Sequence, residues 1–203
     1  MSANAAKPVS RALASVIMQP MRRRLAVIAM FAVCATALVT IVPSAGGASD
    51  VRESVAQRAV SWAVGHVGIR EIGTTNCSPV IDRWERDMGL KLPPCRVWCG
   101  AFVHQAYLKA GVRLSKRLID PHRSYADAVA GRRHLRKIAV SAIRPGDIVF
   151  YKFRNGVRAS HLALARSRPK NGMLDTVEGN VSNASSLQSR GTKYIVLAAR
   201  VTR

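Results

Sequence analysis

The 203 residues predict an α+β fold, on three observations. Apolar residues at helical spacing are confined to the first half of the chain, over 58–69 and 99–110. Two Asn-Gly pairs, Asn155-Gly156 and Asn171-Gly172, each separate strand-like runs, a hairpin signature because both residues tolerate positive φ. Short strand-like runs then continue to the C-terminus, and helices followed by strands is the order of segregated layers.

Residues 1–24 carry Lys7, Arg11, Arg22, Arg23 and Arg24 and no acidic residue. Leu25 to Val42 is an 18-residue stretch, apolar apart from Thr36 and Thr40, and Pro43 to Ala48 supplies a helix breaker and small residues. This is the order of a secretory signal, and its length is also near the lower limit for crossing a bilayer. Residues 1–48 are therefore read as a signal peptide or a retained single membrane anchor, with Met21 an alternative start that gives a conventional short signal. Cys34, inside the apolar run, does not match a lipoprotein cleavage box. Residues 49–203 are read as one domain outside the cytoplasm, long enough for one sizeable core.

Within that domain, Arg58 to Ile69 is predicted as the first helix, with His66 at its core edge. Ser78 is placed to cap a second helix, Pro79 suits its first turn, and Gly89 ends it. Phe102, Val103, Ala106, Tyr107 and Ala110 give a third helix with Gly111 as its stop. Cys99 falls in its first turn, where unpaired backbone N–H groups and the helix dipole favour a negative charge. Asp120 to Lys137 is polar and read as irregular, a candidate substrate-lining loop that includes His122 and His134. Ile148 to Phe153, Val157 to Ala165, Met173 to Glu178 and Tyr194 to Val201 are predicted as strands. His161, Ala163 and Ala165 share one face of the second of these. The small alanines are expected to let the Cys99 helix pack close.

The chemistry follows from Cys99, His161 and Glu178 in that chain order. A cysteine hydrolase needs a thiolate to attack, an imidazole to take and return the proton, and a third group to steady the ring. The alternative for Cys99 alone is a buried structural thiol. Trp98, directly before it, either walls a substrate cleft or packs. His104 is placed on another helix face than Cys99, and Asp147, after Pro145-Gly146, reads as a turn residue. Setting Cys34 aside, Cys77 and Cys95 flank a compact segment. Pairing them closes a loop worth ~3 kcal/mol in the chain-entropy model and leaves Cys99 as the odd thiol. The competing reading is a zinc site from Cys77, Cys95, Cys99 and His161, but the spacing matches no paired zinc-ligand motif.

Five of the 32 basic residues and none of the 11 acidic ones precede Ser49, which leaves the domain a net charge of +16. Such a domain concentrates on anionic polymers, unless the basic residues are simply a solvated face. Specific nucleic-acid binding is not expected, because no aromatic-interleaved recognition motif accompanies the charge.

Four segments together resemble the cysteine, histidine-dependent amidohydrolase/peptidase (CHAP) family of cell-wall hydrolases. They are Val97-Trp98-Cys99-Gly100-Ala101-Phe102-Val103, Arg144-Pro145-Gly146-Asp147-Ile148-Val149-Phe150-Tyr151, Ser160-His161-Leu162-Ala163-Leu164-Ala165 and Val177-Glu178-Gly179-Asn180. Val67-Gly68-Ile69-Arg70-Glu71 and Ile81-Asp82-Arg83-Trp84 look like the actinobacterial form of the domain. The resemblance runs from about residue 51 to the C-terminus. It implies a papain-like arrangement, N-terminal helices packed on a small antiparallel, partly closed β-sheet. It also implies Cys99 as nucleophile, His161 as general base, Glu178 as the group orienting the ring, and Asn180 as a further polar contributor. The approach Pro93 to Trp98 has neither the Gln nor the acidic calcium loops of some phage members. No calcium site is therefore expected, and the one oxyanion donor named is the Cys99 backbone N–H.

The expectation is a secreted or envelope-bound monomer that hydrolyses peptidoglycan without metal or cofactor. Its bond is N-acetylmuramoyl-L-alanine or a peptide bond of the stems or cross-bridges, and its partners are peptidoglycan and anionic wall polymers. The alternatives are a catalytically inactive basic wall-binding domain and a secreted thiol amidase acting on a non-wall substrate.

Overall fold

Three of the four α-helices described by the computed structural model begin at a capping side chain or a proline. The structure describes residues 53–91 and 95–202, within one compact unit, Ser49–Arg203. The expected signal or anchor, with Met21 and Cys34, lies outside the described residues. Helix α1 spans Val55–Val64; the Ser54 hydroxyl accepts the Gln57 N–H while the Gln57 side chain accepts the Ser54 N–H. It starts three residues before the expected Arg58 and stops at Gly65 rather than Ile69. Helix α2, Pro79–Asp87, has the expected Ser78 cap and Pro79 at its first position. Helix α3 is Cys99–Lys109. A fourth helix, α4 over Pro121–Val129, corrects the irregular reading of that stretch: Asp120 caps it by accepting the Arg123 N–H, and Pro121 opens it.

The strands are β1 Leu135–Ile138, β2 Ile148–Tyr151, β3 His161–Ala165, β4 Met173–Val181, β5 Ala184–Gly191 and β6 Ile195–Val201. They form one antiparallel sheet in the order β1-β6-β2-β3-β4-β5, so the fold is α+β. The sheet is open, with β1 and β5 as its edges, and among the described residues no strand pairing closes it.

The two Asn-Gly pairs behave differently. Asn171 and Gly172 both have positive φ, 51° and 72°, and Lys170 and Met173 exchange two 2.9 Å backbone hydrogen bonds across them. This is the tight turn expected. Between β2 and β3 the last paired residues are Tyr151 and His161, so 152–160 form a long loop, and only Gly156 of that pair has positive φ. The tightest hairpin of the sheet, β4 to β5, turns instead on Ser182 and Asn183, both in the left-handed region.

Helix α3 is buried along its whole first two turns, from Cys99 to Tyr107. It packs with α1 and α2 onto the sheet face carrying Ile148, Phe150, Leu162, Leu164, Val177 and Leu197. Ala163 and Ala165 lie in the other cluster, with Ile143, Val149 and Tyr151. The expected role of the alanines is therefore corrected. Close approach of α3 is instead permitted at Gly179, where a Cβ would stand 2.6 Å from Phe102 Cβ and 2.8 Å from the Trp98 ring. The Tyr107 hydroxyl donates to the Gly146 carbonyl and ties α3 to the turn before β2.

Candidate active site

Three elements converge on one place: the start of α3, the start of β3 and the bulged end of β4. Cys99 is the first residue of α3, and Trp98 precedes it without a side-chain cap, so the amides of the first turn have no helical acceptors. It is the one free thiol among the described residues and is 0% exposed. Cys77 and Cys95 form a disulfide, as expected, with Cα atoms 4.7 Å apart. That bond removes two of the three thiolates the zinc alternative required. Asp82 lies beside the pair, but two of the three groups in that cluster are the joined sulfurs.

His161 Nε2 lies 2.9 Å from Glu178 Oε2. Glu178 is 0% exposed, and its other contacts are dense. Arg190, from β5, grips it with Nη2 on Oε2 at 2.7 Å and Nε on Oε1 at 3.1 Å. The Thr176 hydroxyl donates to Oε1 at 2.5 Å. Burial would raise the Glu178 pKa, but the hydrogen bonds from His161 and Arg190 hold it down at about 2. Glu178 is thus a fixed carboxylate. Burial would lower the His161 pKa, yet Cys99 and Glu178 outweigh it and raise it to about 9. With Nε2 committed to Glu178, Nδ1 is the nitrogen left for the sulfur. Both neighbours favour the charged form of the ring.

Among the described residues Asn180 makes no hydrogen bond to the imidazole. With its amide N–H toward Glu71 Oε1 at 3.1 Å, its oxygen accepts the Trp98 backbone N–H, also at 3.1 Å. Its φ of 61° and the register shift between Glu178 and Val181 turn it to that position. Glu71 organises the same corner, accepting the Trp98 indole N–H at 2.8 Å and the Asn76 backbone N–H at 2.9 Å. Trp98 is fully buried against Trp84 and Phe102, so of its two readings the structure takes packing, not the cleft wall. A buried indole needs an acceptor, and Glu71 supplies it.

A cavity of about 310 Å³ opens on His161 and Asn180 and is bounded by Asn76, Val97, Phe153 and Arg154. His104 is buried on α3 with neither ring nitrogen in a hydrogen bond. Burial, with Arg113 nearby, pushes its pKa down to about 4. It has no part in the site. Asp147 is structural, gripped by Arg200 at 2.9 and 2.8 Å.

Sequence reasoning did not single out Glu71, Asn76 or Arg190 as site residues. Asn76 adjoins the disulfide, which is a signal that was there. Arg190 stands in a polar strand with no pattern to mark it. Comparison with protein-family models finds no match to the chain, and comparison with curated proteins finds none.

Proposed function

We propose that this protein is a secreted or envelope-bound peptidoglycan hydrolase of the CHAP type, with a papain-like Cys-His-Glu mechanism. The observation that carries this is the 2.9 Å bond from His161 to the fully buried Glu178 carboxylate, in a chain whose free thiol, Cys99, starts helix α3. The Cys99 thiolate attacks the carbonyl carbon of a wall amide, and the oxyanion that forms takes the Cys99 backbone N–H. The His161 imidazolium gives its Nδ1 proton to the leaving amine as the C–N bond breaks, which leaves a thioester. The neutral ring then takes a proton from water, whose oxygen attacks the thioester. The acid departs, and thiolate and imidazolium are restored. Glu178 holds the ring's orientation throughout and does not itself change protonation. The bond is N-acetylmuramoyl-L-alanine or a peptide bond of the stems or cross-bridges. No metal or cofactor takes part in this scheme.

The test is digestion of purified walls by the wild type and by Cys99→Ala. Wild type is expected to solubilise walls while the variant binds them without release. Mass analysis of the fragments assigns the bond, because a new free amine on L-alanine means amidase. Equal release by both proteins removes the reading.

One observation favours a second reading. Cys99 is fully buried, and it does not line the cavity on which His161 opens. A catalytically silent basic wall-binding domain on this fold would have such a thiol; it predicts wall binding with no release by either protein.

A further inference from the structure

The cavity at His161 does not end there. Through Asn76, Val97, Arg154 and Ser160 it runs into a second of about 490 Å³. That one shares Arg96, Ile119 and Asp120 with a third, of about 280 Å³. Together they form a trough leading from the imidazole across the start of α4. Its cations, outward from His161, are Arg154, Arg96 and then Lys116, Arg117 and Arg123.

One carboxylate lines this trough, and it is spent. Asp120 caps α4 and pairs with Arg123 at 3.2 Å. Arg117 pairs with Asp127 at 2.8 Å. Arg154, Arg96 and Lys116 have no ion pair among the described residues, although Arg190 and Arg200, elsewhere on the sheet, each grip a carboxylate with two nitrogens. Glu85, whose carboxylate accepts the Arg96 backbone N–H at 3.3 Å, Glu71 and Glu178 are buried and line none of the three cavities. His122 adds a donor, since its Nδ1 accepts the Arg158 backbone N–H at 3.0 Å and leaves Nε2 to carry the hydrogen. Between the cations the walls are apolar: Val97, Ile119, Pro121, Val157 and Ala159. Val97 and Phe153, at the mouth, are large apolar side chains left half exposed.

Two unpaired planar guanidiniums in an apolar trough that begins at the His161 imidazole fit an elongated substrate with a carboxylate close to the scissile amide. We propose that this trough is an anionic-peptide subsite, in which Arg154 and Arg96 pair with a carboxylate of the substrate within a residue or two of the bond that is cut. The inference rests on the hydrolase reading for the presence of a scissile amide. It goes beyond that reading by naming the charge of the neighbouring group and the residues that select it.

The probe is a pair of labelled synthetic peptides with a γ-linked glutamate, one with its α-carboxylate free and one with it amidated. Binding is measured with Cys99→Ala and turnover with the wild type. The free-carboxylate peptide is expected to bind about fivefold tighter than its twin, roughly the effect of one or two solvent-exposed ion pairs, with the preference shrinking as salt rises. Arg96→Gln with Arg154→Gln brings that ratio to about one, and Arg154→Glu inverts it. Arg136→Gln, on the edge strand β1, serves as the control for net charge and leaves the ratio as it was.

Equal binding of the two peptides overturns the subsite. So does displacement of both alike by a glycerol-phosphate polymer, which makes the trough a general polyanion groove. Preferential binding with no turnover of either peptide sustains the subsite, and the hydrolase reading then stands or falls on the wall digest. Turnover without preference sustains the hydrolase reading and overturns the subsite.

Discussion

His161 is the residue on which the proposed proton transfers turn, and it carries two predictions. In the proposed mechanism the leaving amine takes its proton from the ring, so activity is expected to fall as pH rises through about 9. Glu178 favours the charged ring, so Glu178→Gln should move that basic limb down by about one pH unit, read from the kcat/KM profile. An unmoved limb would separate Glu178 from the proton transfer. The same shift bears on stability. The folded pKa of His161 lies above the ordinary histidine value, so its contribution is complete below about pH 6.5 and is lost as pH rises through about 9. Glu178 has the opposite sign: its contribution is present above about 4.5 and is lost as pH falls toward about 2. His104, with its pKa lowered to about 4, costs stability between about 6.5 and 4, because the unfolded chain takes up the proton first. Replacing it by leucine removes two orphaned ring nitrogens. His104→Leu should therefore gain about 1 kcal/mol at neutral pH and more at pH 5, measured as the urea midpoint. Cys99, His161 and Glu178 were legible as residues because their types are rare, reactive and ordered as the chemistry needs. Glu71 was not, because its task is to hold Trp98 and Asn76, and nothing in its neighbours' pattern records a partner 27 positions away.

At the scale of elements, the site depends on how closely α3 approaches its neighbours. At Gly100, directly after Cys99, a Cβ would fall 1.8 Å from the Leu118 carbonyl oxygen, and backbone cannot step aside cheaply. At Gly179 the obstacle is Phe102 and Trp98. Gly100→Ala is expected to destabilise by about 2 kcal/mol, in the range of overpacked cores; a stability unchanged within error would mean that α3 does not pack so tightly. Strand β5 shows most clearly where sequence reading stops. Ala184 to Gly191 offers one large apolar residue, Leu187, which is itself exposed, so neither alternation nor β-branched content marks a strand. It forms because β4 supplies a partner and Ser182-Asn183 can turn. Yet β5 delivers Arg190 to Glu178. Arg190→Gln should cost about 2 kcal/mol, less than a fully buried pair because Arg190 is partly exposed, and should disorder the carboxylate that orients the ring. Helix α4 was missed for a related reason. Its cap and proline were visible, but a short helix with a modest apolar face is stabilised by what it packs on.

For the whole molecule, the sequence order of helices then strands correctly anticipated segregated layers, and the cysteine count correctly anticipated the Cys77–Cys95 bond. The open sheet could not be read from the chain, since closure depends on strand tilt and on which edges meet. The disulfide spans 18 positions, and Asn76 and Arg96, which flank it, both line the second cavity of the trough. Cys77→Ser with Cys95→Ser should lower stability by about 3 kcal/mol in the chain-entropy account, seen as a reduced urea midpoint. The most direct test of the central claim is alkylation of Cys99 by iodoacetamide in the folded, disulfide-intact protein at pH 6.5, followed by mass spectrometry. A sulfur paired with the protonated ring reacts there, and reacts far more slowly once His161→Ala removes the partner. A residue 99 that stays inert, or that reacts at the same rate with or without His161, contradicts the account.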